Sequence, residues 1–256
     1  MKVADIYDIL NTISPFELQA KWDNSGLNIG SPHMHCRQIY ISLELDWQVV
    51  DCIAESSLLI VHHPLIFKPL QVIHTQSYPS NLIAKCLQKN IAVIAMHTNF
   101  DLTHLNQFFA SSLQLEELGF APESSKEFSL IYTHNTTQCV SLESLAKHIK
   151  HTLKLDFLRY SKGSNFMQDN HGCITRIFIT CGSNASSYHL AKGNECVITG
   201  DIKYHDAMIA NSNGISFIDI PHFESECVFA TLLAKTLQKS NIQAIITDSH
   251  NPFCYI

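Results

Sequence analysis

Leu58-Leu59-Ile60-Val61-His62-His63-Pro64 is the stretch from which the fold is read. Four apolar residues of strand length end in two imidazoles and then a proline, which cannot extend a backbone ladder. This is the pattern of a buried strand that delivers two nitrogens at its carboxyl end. Open α/β sheets bind ligands at that edge.

Three later apolar runs end in the same way. Ile91 to Met96 leads to His97 and Asp101, Val197 to Thr199 leads to Asp201 and His205, and Ile215 to Ile220 leads to His222 and Glu226. Each of these pairs is spaced i, i+4, so its members share a face wherever a helix begins there. If the strands are parallel and share one sheet, their carboxyl ends bring these residues together.

Imidazole and carboxylate without thiolate suit zinc, iron, manganese, nickel or cobalt. His62, His63, His97, Asp101, His222 and Glu226 outnumber the ligands of one tetrahedral ion. Carboxylates bridge and offset the repulsion between dications ~3.5–4 Å apart, so two ions are expected. Taken singly, a histidine at a strand end is more often a hydrogen-bonded structural residue than a ligand, Asp101 is explained by a cap and Glu226 by a first-turn acid. The adjacent pair and the fourfold repetition favour metal.

The 256 residues suffice for one large domain or two small ones, and 46% hydrophobic with 16% charged residues describes a folded chain. A formal charge of −6 without a basic run argues against nucleic acid as a partner. Asp5 and Asp8 sit where a signal peptide needs a basic start, and no apolar stretch has membrane length. A cytoplasmic location is the expectation. Nine cysteines without a Cys-x-x-Cys pair are read as reduced thiols, with His33-Met34-His35-Cys36 the nearest approach to a thiol metal motif.

Val3, Ile6, Tyr7 and Leu10 predict an opening helix, and Trp22 to Gly30 a glycine-containing loop. Strands are expected at Ile39 to Leu43, Leu58 to Val61 and Ile91 to Met96. Helices are expected around Val49 to Ala54 and at Asn81 to Lys89, the latter capped by Ser80. The polar stretch Gly119 to Lys126 suggests a domain boundary. Beyond it lie strand Phe128 to Tyr132, a helix capped by Ser141, and a polar loop from Ser161 to Gly172. Strands Ile174 to Thr180, Cys196 to Thr199 and Ile215 to Ile220 follow, then a helix from about Glu224 to Lys239 and strand Ala244 to Thr247. Neither a phosphate-binding glycine loop nor a nucleophile elbow is present. Cys181-Gly182-Ser183-Asn184 is read either as an anion cradle of backbone amides or as a tight turn.

Five blocks in order carry a family resemblance: Trp22-Asp23-Asn24-Ser25-Gly26-Leu27, Val61 to Lys68, His97-Thr98-Asn99-Phe100-Asp101, Thr199 to His205, and His222-Phe223-Glu224-Ser225-Glu226. Together they resemble the signature blocks of the Nif-three-like family, whose members are often labelled type 2 GTP cyclohydrolase I. The resemblance implies a two-domain α/β fold with mostly parallel or mixed sheets flanked by helices and a metal site in the cleft between the domains. It places residues 1–124 and 221–256 in the first domain and 125–220 in the second, as a short form without the inserted domain of some relatives.

By matching position, the resemblance makes His62, His63, Asp101, His222 and Glu226 ligands of two divalent metal ions per subunit. His97, Asp201 and His205 take proton-handling or supporting roles, and Lys68 and Lys203 are the nearest cations for a triphosphate. The implied assembly is a homohexameric ring, a trimer of dimers. The implied reaction is hydrolysis of GTP to 7,8-dihydroneopterin triphosphate and formate. Alternatives are a metal-dependent phosphoesterase or ring amidohydrolase, and a non-catalytic metal-binding scaffold. The chain departs from the family in Leu102 to Asn106, in Glu44 where an aspartate is usual, and in Gly182-Ser183-Asn184.

Overall fold

The computed structural model describes residues 1–164 and 172–254, so most of the polar segment from Ser161 to Gly172 lies outside it. The chain begins with α1 (Val3–Ile13), β1 (Gly26–Ile29), β2 (Ile39–Ser42), α2 (Trp47–Cys52) and β3 (Leu58–Val61). Next come α3 (Ser80–Gln88), β4 (Ala92–Ala95), α4 (Thr98–Phe100), α5 (Asn106–Ser112), β5 (Phe120–Lys126) and β6 (Ser129–His134). After α6 (Leu142–Thr152) follow β7 (Arg159–Ser161), β8 (Arg176–Ile179), β9 (Cys196–Thr199) and α7 (Tyr204–Ser212). The chain closes with β10 (Ser216–Asp219), α8 (His222–Glu226), α9 (Phe229–Lys239) and β11 (Ile245–Ile246).

These elements form two compact units, Met1–Thr103 with Cys227–Ile256, and His104–Glu226. The strand-end residues therefore do not share one sheet. Each unit has its own, and each sheet carries half of the set.

In the first unit the strand order is β1-β4-β3-β2-β11. β11, β2, β3 and β4 are parallel, and β1 pairs antiparallel with β4. β2, β3 and β4 are buried along their whole length, as parallel strands covered on both faces require. Val49, Val50 and Ile53 around α2, with Leu82, Ile83 and Cys86 of α3, pack against Tyr40, Leu59, Val61 and Val93. β1 was expected to be loop. It is a short edge strand whose Gly26 has φ +116°, a conformation open to glycine, so alternation is too brief to read. Ser80 is the first residue of α3 rather than its cap, and Pro79 precedes it.

In the second unit the order is β5-β6-β8-β9-β10-β7. β8, β9 and β10 are parallel, and the remaining pairings are antiparallel. Ala210 of α7 and the turn residues Ala185 and Ala191 pack on Ile131, Phe178, Val197 and Phe217. Ser141 caps α6 as expected, its side chain accepting from the Ser144 amide. The stretch expected to mark a boundary is strand β5, at the sheet edge. Only Phe120 of it is buried, which is why it has a linker's polarity. The expected long helix is two, α8 and α9, so Glu226 ends a short helix of its own.

The cysteines are not all reduced. Cys139 and Cys173 form a disulfide, with Cα atoms 5.2 Å apart, where Ser141 and Cys173 already meet in a β-bridge. Their 34-residue separation offers no spacing signature, so tertiary proximity alone creates the pair. No helix among the described residues is long and apolar enough to cross a membrane.

Candidate metal centre

In the first unit, β2, β3 and β4 are neighbours running the same way, so their carboxyl ends meet at one edge. The amides of His62 and His63 both donate to the Leu43 carbonyl, at 3.1 and 3.3 Å, which fixes the backbone beyond β3. One ring nitrogen from each of His62, His63 and His97 falls within 4.8 Å of the others.

All three rings are oriented by the same device. His62 Nδ1 lies 2.8 Å from the Met96 carbonyl, His63 Nδ1 2.6 Å from Glu44 Oε1, and His97 Nδ1 2.7 Å from Asp23 Oδ1. A carbonyl only accepts, so His62 carries its proton on Nδ1, leaving Nε2 the nitrogen for a ligand. Metal-binding histidines are held in this way by carboxylates and carbonyls behind them. Asp101 joins the set with Oδ1 3.4 Å from His62 Nε2. It is placed there by the turn of chain that follows β4, where its amide donates to the His97 carbonyl at 3.0 Å. Phe229 packs on the His62 ring at 4.9 Å and closes that side with a buried apolar face.

Asp23 is the anchor behind His97. Its side chain is fully buried and accepts from His97, from the Asn24 and Thr98 amides and from the Ser25 and Thr98 hydroxyls. Burial alone would raise its pKa. The hydrogen bond and charge of His97, with the other donors, overcome this and hold the carboxyl well below the usual range.

The second unit carries a donor cluster of its own. β9 and β10 are parallel neighbours, so Asp201 and His222 follow them at a common edge. His222 Nδ1 lies 2.6 Å from Asp201 Oδ2, and its Nε2 3.0 Å from Glu226 Oε2 across one turn of α8. Burial opposes protonation of His222, but hydrogen bonds and charge from Glu226 and Asp201 prevail and raise its pKa to about 10. Two carboxylates around one imidazole make a place that favours positive charge.

The turn after β8 makes room for this pair. Gly182 has φ +60°, and a Cβ there would collide with Glu226 Oε1. Three of the four amides that were candidates for an anion cradle are engaged elsewhere. Cys181 N donates to Asn106, Gly182 N to Ser225 and Asn184 N to Thr199, so the segment is a tight turn.

Of the remaining expected residues, Asp201 precedes α7 with φ +53°, so it does not share a helical face with His205. It stands behind His222 instead. His205 is exposed near the start of α7, its ring 5.4 Å from Tyr204. Lys68 and Lys203 are both exposed. Sequence reasoning missed Asp23 and Glu44 as supports for the imidazoles. Asp23 lay inside a quoted block. Glu44 follows β2, where the strand-end rule used for the other strands would have found it.

In each unit the donor chemistry fits divalent metal: imidazoles whose Nδ1 is held by a carboxylate or a carbonyl, with Asp101 beside them in the first unit and Glu226 in the second. The family described as Duf34/NIF3 (NGG1p interacting factor 3) matches residues 1–252. A Helicobacter pylori protein named GTP cyclohydrolase 1 type 2 is 42% identical over 250 residues, covering 98% of this chain and 97% of that protein. A Campylobacter jejuni protein named as a homolog of that enzyme is 41% identical over the full length of both chains. Among solved structures, a Staphylococcus aureus protein superposes with a TM-score of 0.77 at 25% identity, covering 100% of this chain and 99% of that one. A Bacillus cereus protein related to NIF3 has the same fold, with a TM-score of 0.77, 19% identity and the same coverage of both chains. On the match along its length and on these relatives, the chain belongs to the Duf34/NIF3 family.

Proposed function

We propose that this protein is a dinuclear metal-dependent hydrolase whose substrate is a purine nucleotide, GTP in the first instance. One observation carries the reading. All four candidate imidazoles, His62, His63, His97 and His222, have Nδ1 committed to an oxygen behind them. A structural histidine needs no such uniformity, whereas a ligand requires its other nitrogen aimed and its tautomer set.

His62, His63 and Asp101 from the first unit, with His222 and Glu226 from the second, would hold the two ions. When bound, divalent metal supplies Lewis acidity and activates water near neutral pH. The protein's own groups handle protons and position. His97, with Asp23 behind Nδ1, takes or returns a proton at Nε2 as a general base or acid. Asp201 keeps His222 oriented. Lys68 and Lys203 offer charge to phosphate oxygens. The names of the relatives supply GTP as the substrate to test first.

The test begins with metal analysis of the purified protein and of the His62→Ala and Glu226→Ala variants. About two ions per chain, lost or halved in each variant, is the expected result. Metal-loaded protein is then incubated with GTP. Release of formate with a pterin fluorophore supports the reading, and absence of both with full metal content sinks it.

A further inference from the structure

The loop that carries Asp23 also carries Trp22, and Trp22 is 63% exposed. Phe67, four residues after His63, is 43% exposed. The Trp22 and Phe67 rings lie 5.8 Å apart, and their centroids are 6.0 and 6.1 Å from the His97 ring. Side chains of this size are ordinarily among the first that a fold buries. Neither is loosely held here. Asp23 is locked by its five donors, and Asn24 Nδ2 donates to the Ile66 carbonyl at 2.6 Å, tying the two loops together. Two aromatic faces are thus presented on fixed backbone beside one imidazole of the donor set. Lys21 precedes Trp22 and Lys68 follows Phe67, and both lysines are exposed.

We infer that Trp22 and Phe67 form a stacking platform for the purine ring of the substrate, with Lys21 and Lys68 at its margin for the phosphates. This rests on the reading of the site as one acting on a purine nucleotide. A purine is flat, and its π-face stacks on aromatic side chains. A sandwich between the two rings would need two contacts of about 3.5 Å, or about 7 Å in all. The pair is closer than that and tilted by 56°, so the purine lies across the platform and not between the rings. Its edge then faces His97, the proton-handling group.

The chain has two tryptophans, so Trp47→Phe leaves Trp22 as the sole reporter. In metal-loaded protein, GTP and guanosine should quench its fluorescence saturably, and inorganic triphosphate should not. By equilibrium dialysis, which needs no tryptophan, Trp22→Ala and Phe67→Ala should each raise the Kd for GTP and guanosine about tenfold with metal content unchanged. Trp22→Phe should restore most of the affinity. Lys68→Ala should weaken GTP but leave guanosine alone. Turnover of GTP without quenching, at an unchanged KM in both alanine variants, overturns the platform and leaves the hydrolase reading standing. Quenching by guanosine without turnover keeps the platform and overturns the cyclohydrolase. Neither quenching nor turnover overturns both. A fall in assembly size in Trp22→Ala also overturns the platform, because the face is then a contact between copies of the chain.

Discussion

Asp23 shows how much of a metal site lies behind its ligands. Its two oxygens serve five donors, and only one of these, His97 Nδ1, belongs to a candidate site imidazole. Asp23→Asn keeps the size and one acceptor but removes the charge and introduces an amide that cannot accept from Ser25 or Thr98. The expected outcome is a folded protein with unchanged metal affinity, measured by competition with a chromophoric chelator, whose turnover of GTP falls about 10- to 100-fold. A fall in metal affinity would mean that His97 is itself a ligand. Glu44 is the parallel case behind His63. Its carboxylate reaches His63 Nδ1 at 2.6 Å.

At the scale of elements, short turns decide where the donors fall. Gly182 combines a left-handed backbone with a position against Glu226, so Gly182→Ala meets two penalties. The backbone cost is about 1–2 kcal/mol, and the added methyl displaces the carboxylate as well. Thermal or denaturant unfolding should register the first, and loss of metal from the His222–Glu226 pair the second. Gly193→Ala, where an added Cβ meets nothing within 4 Å, is the control and should change neither.

The same elements show what could be read without coordinates. β3 and β9 coincide with their expected bounds because continuous apolar runs ended by polar residues leave one interpretation. β5 was missed because it is exposed beyond Ala121 and lacks the pattern that marks a strand, and β1 because four residues starting at a glycine are too few to show one. The i, i+4 rule held for His222 and Glu226, where a helix begins at the histidine. It failed for Asp201 and His205, where the helix starts only at Tyr204. Spacing proposes a shared face, and the register of the helix start decides it.

At the scale of the molecule, strand-end spacing implied one sheet edge, and the fold supplies two. A single sequence carries no signal for which strands pair, so the parallel endings were assigned to one edge when they belong to two units with separate cores. The division can be tested with thiols the protein already has. Cys86 is buried among the first unit's core residues, and burial pushes its thiol up to about 11. Cys196 lies in β9 at the centre of the second sheet, and burial raises its thiol further. Neither should react with a thiolate-selective reagent near pH 8 until its own unit opens, so each reports on one core as denaturant rises. If ligands from both units hold the ions, stripping metal with a chelator should lower both labelling midpoints. For metal present at about 100 times its Kd, the loss corresponds to about 2.7 kcal/mol. A shift of Cys86 alone would assign the metal to His62, His63, His97 and Asp101, and would remove His222 and Glu226 from the ligand set.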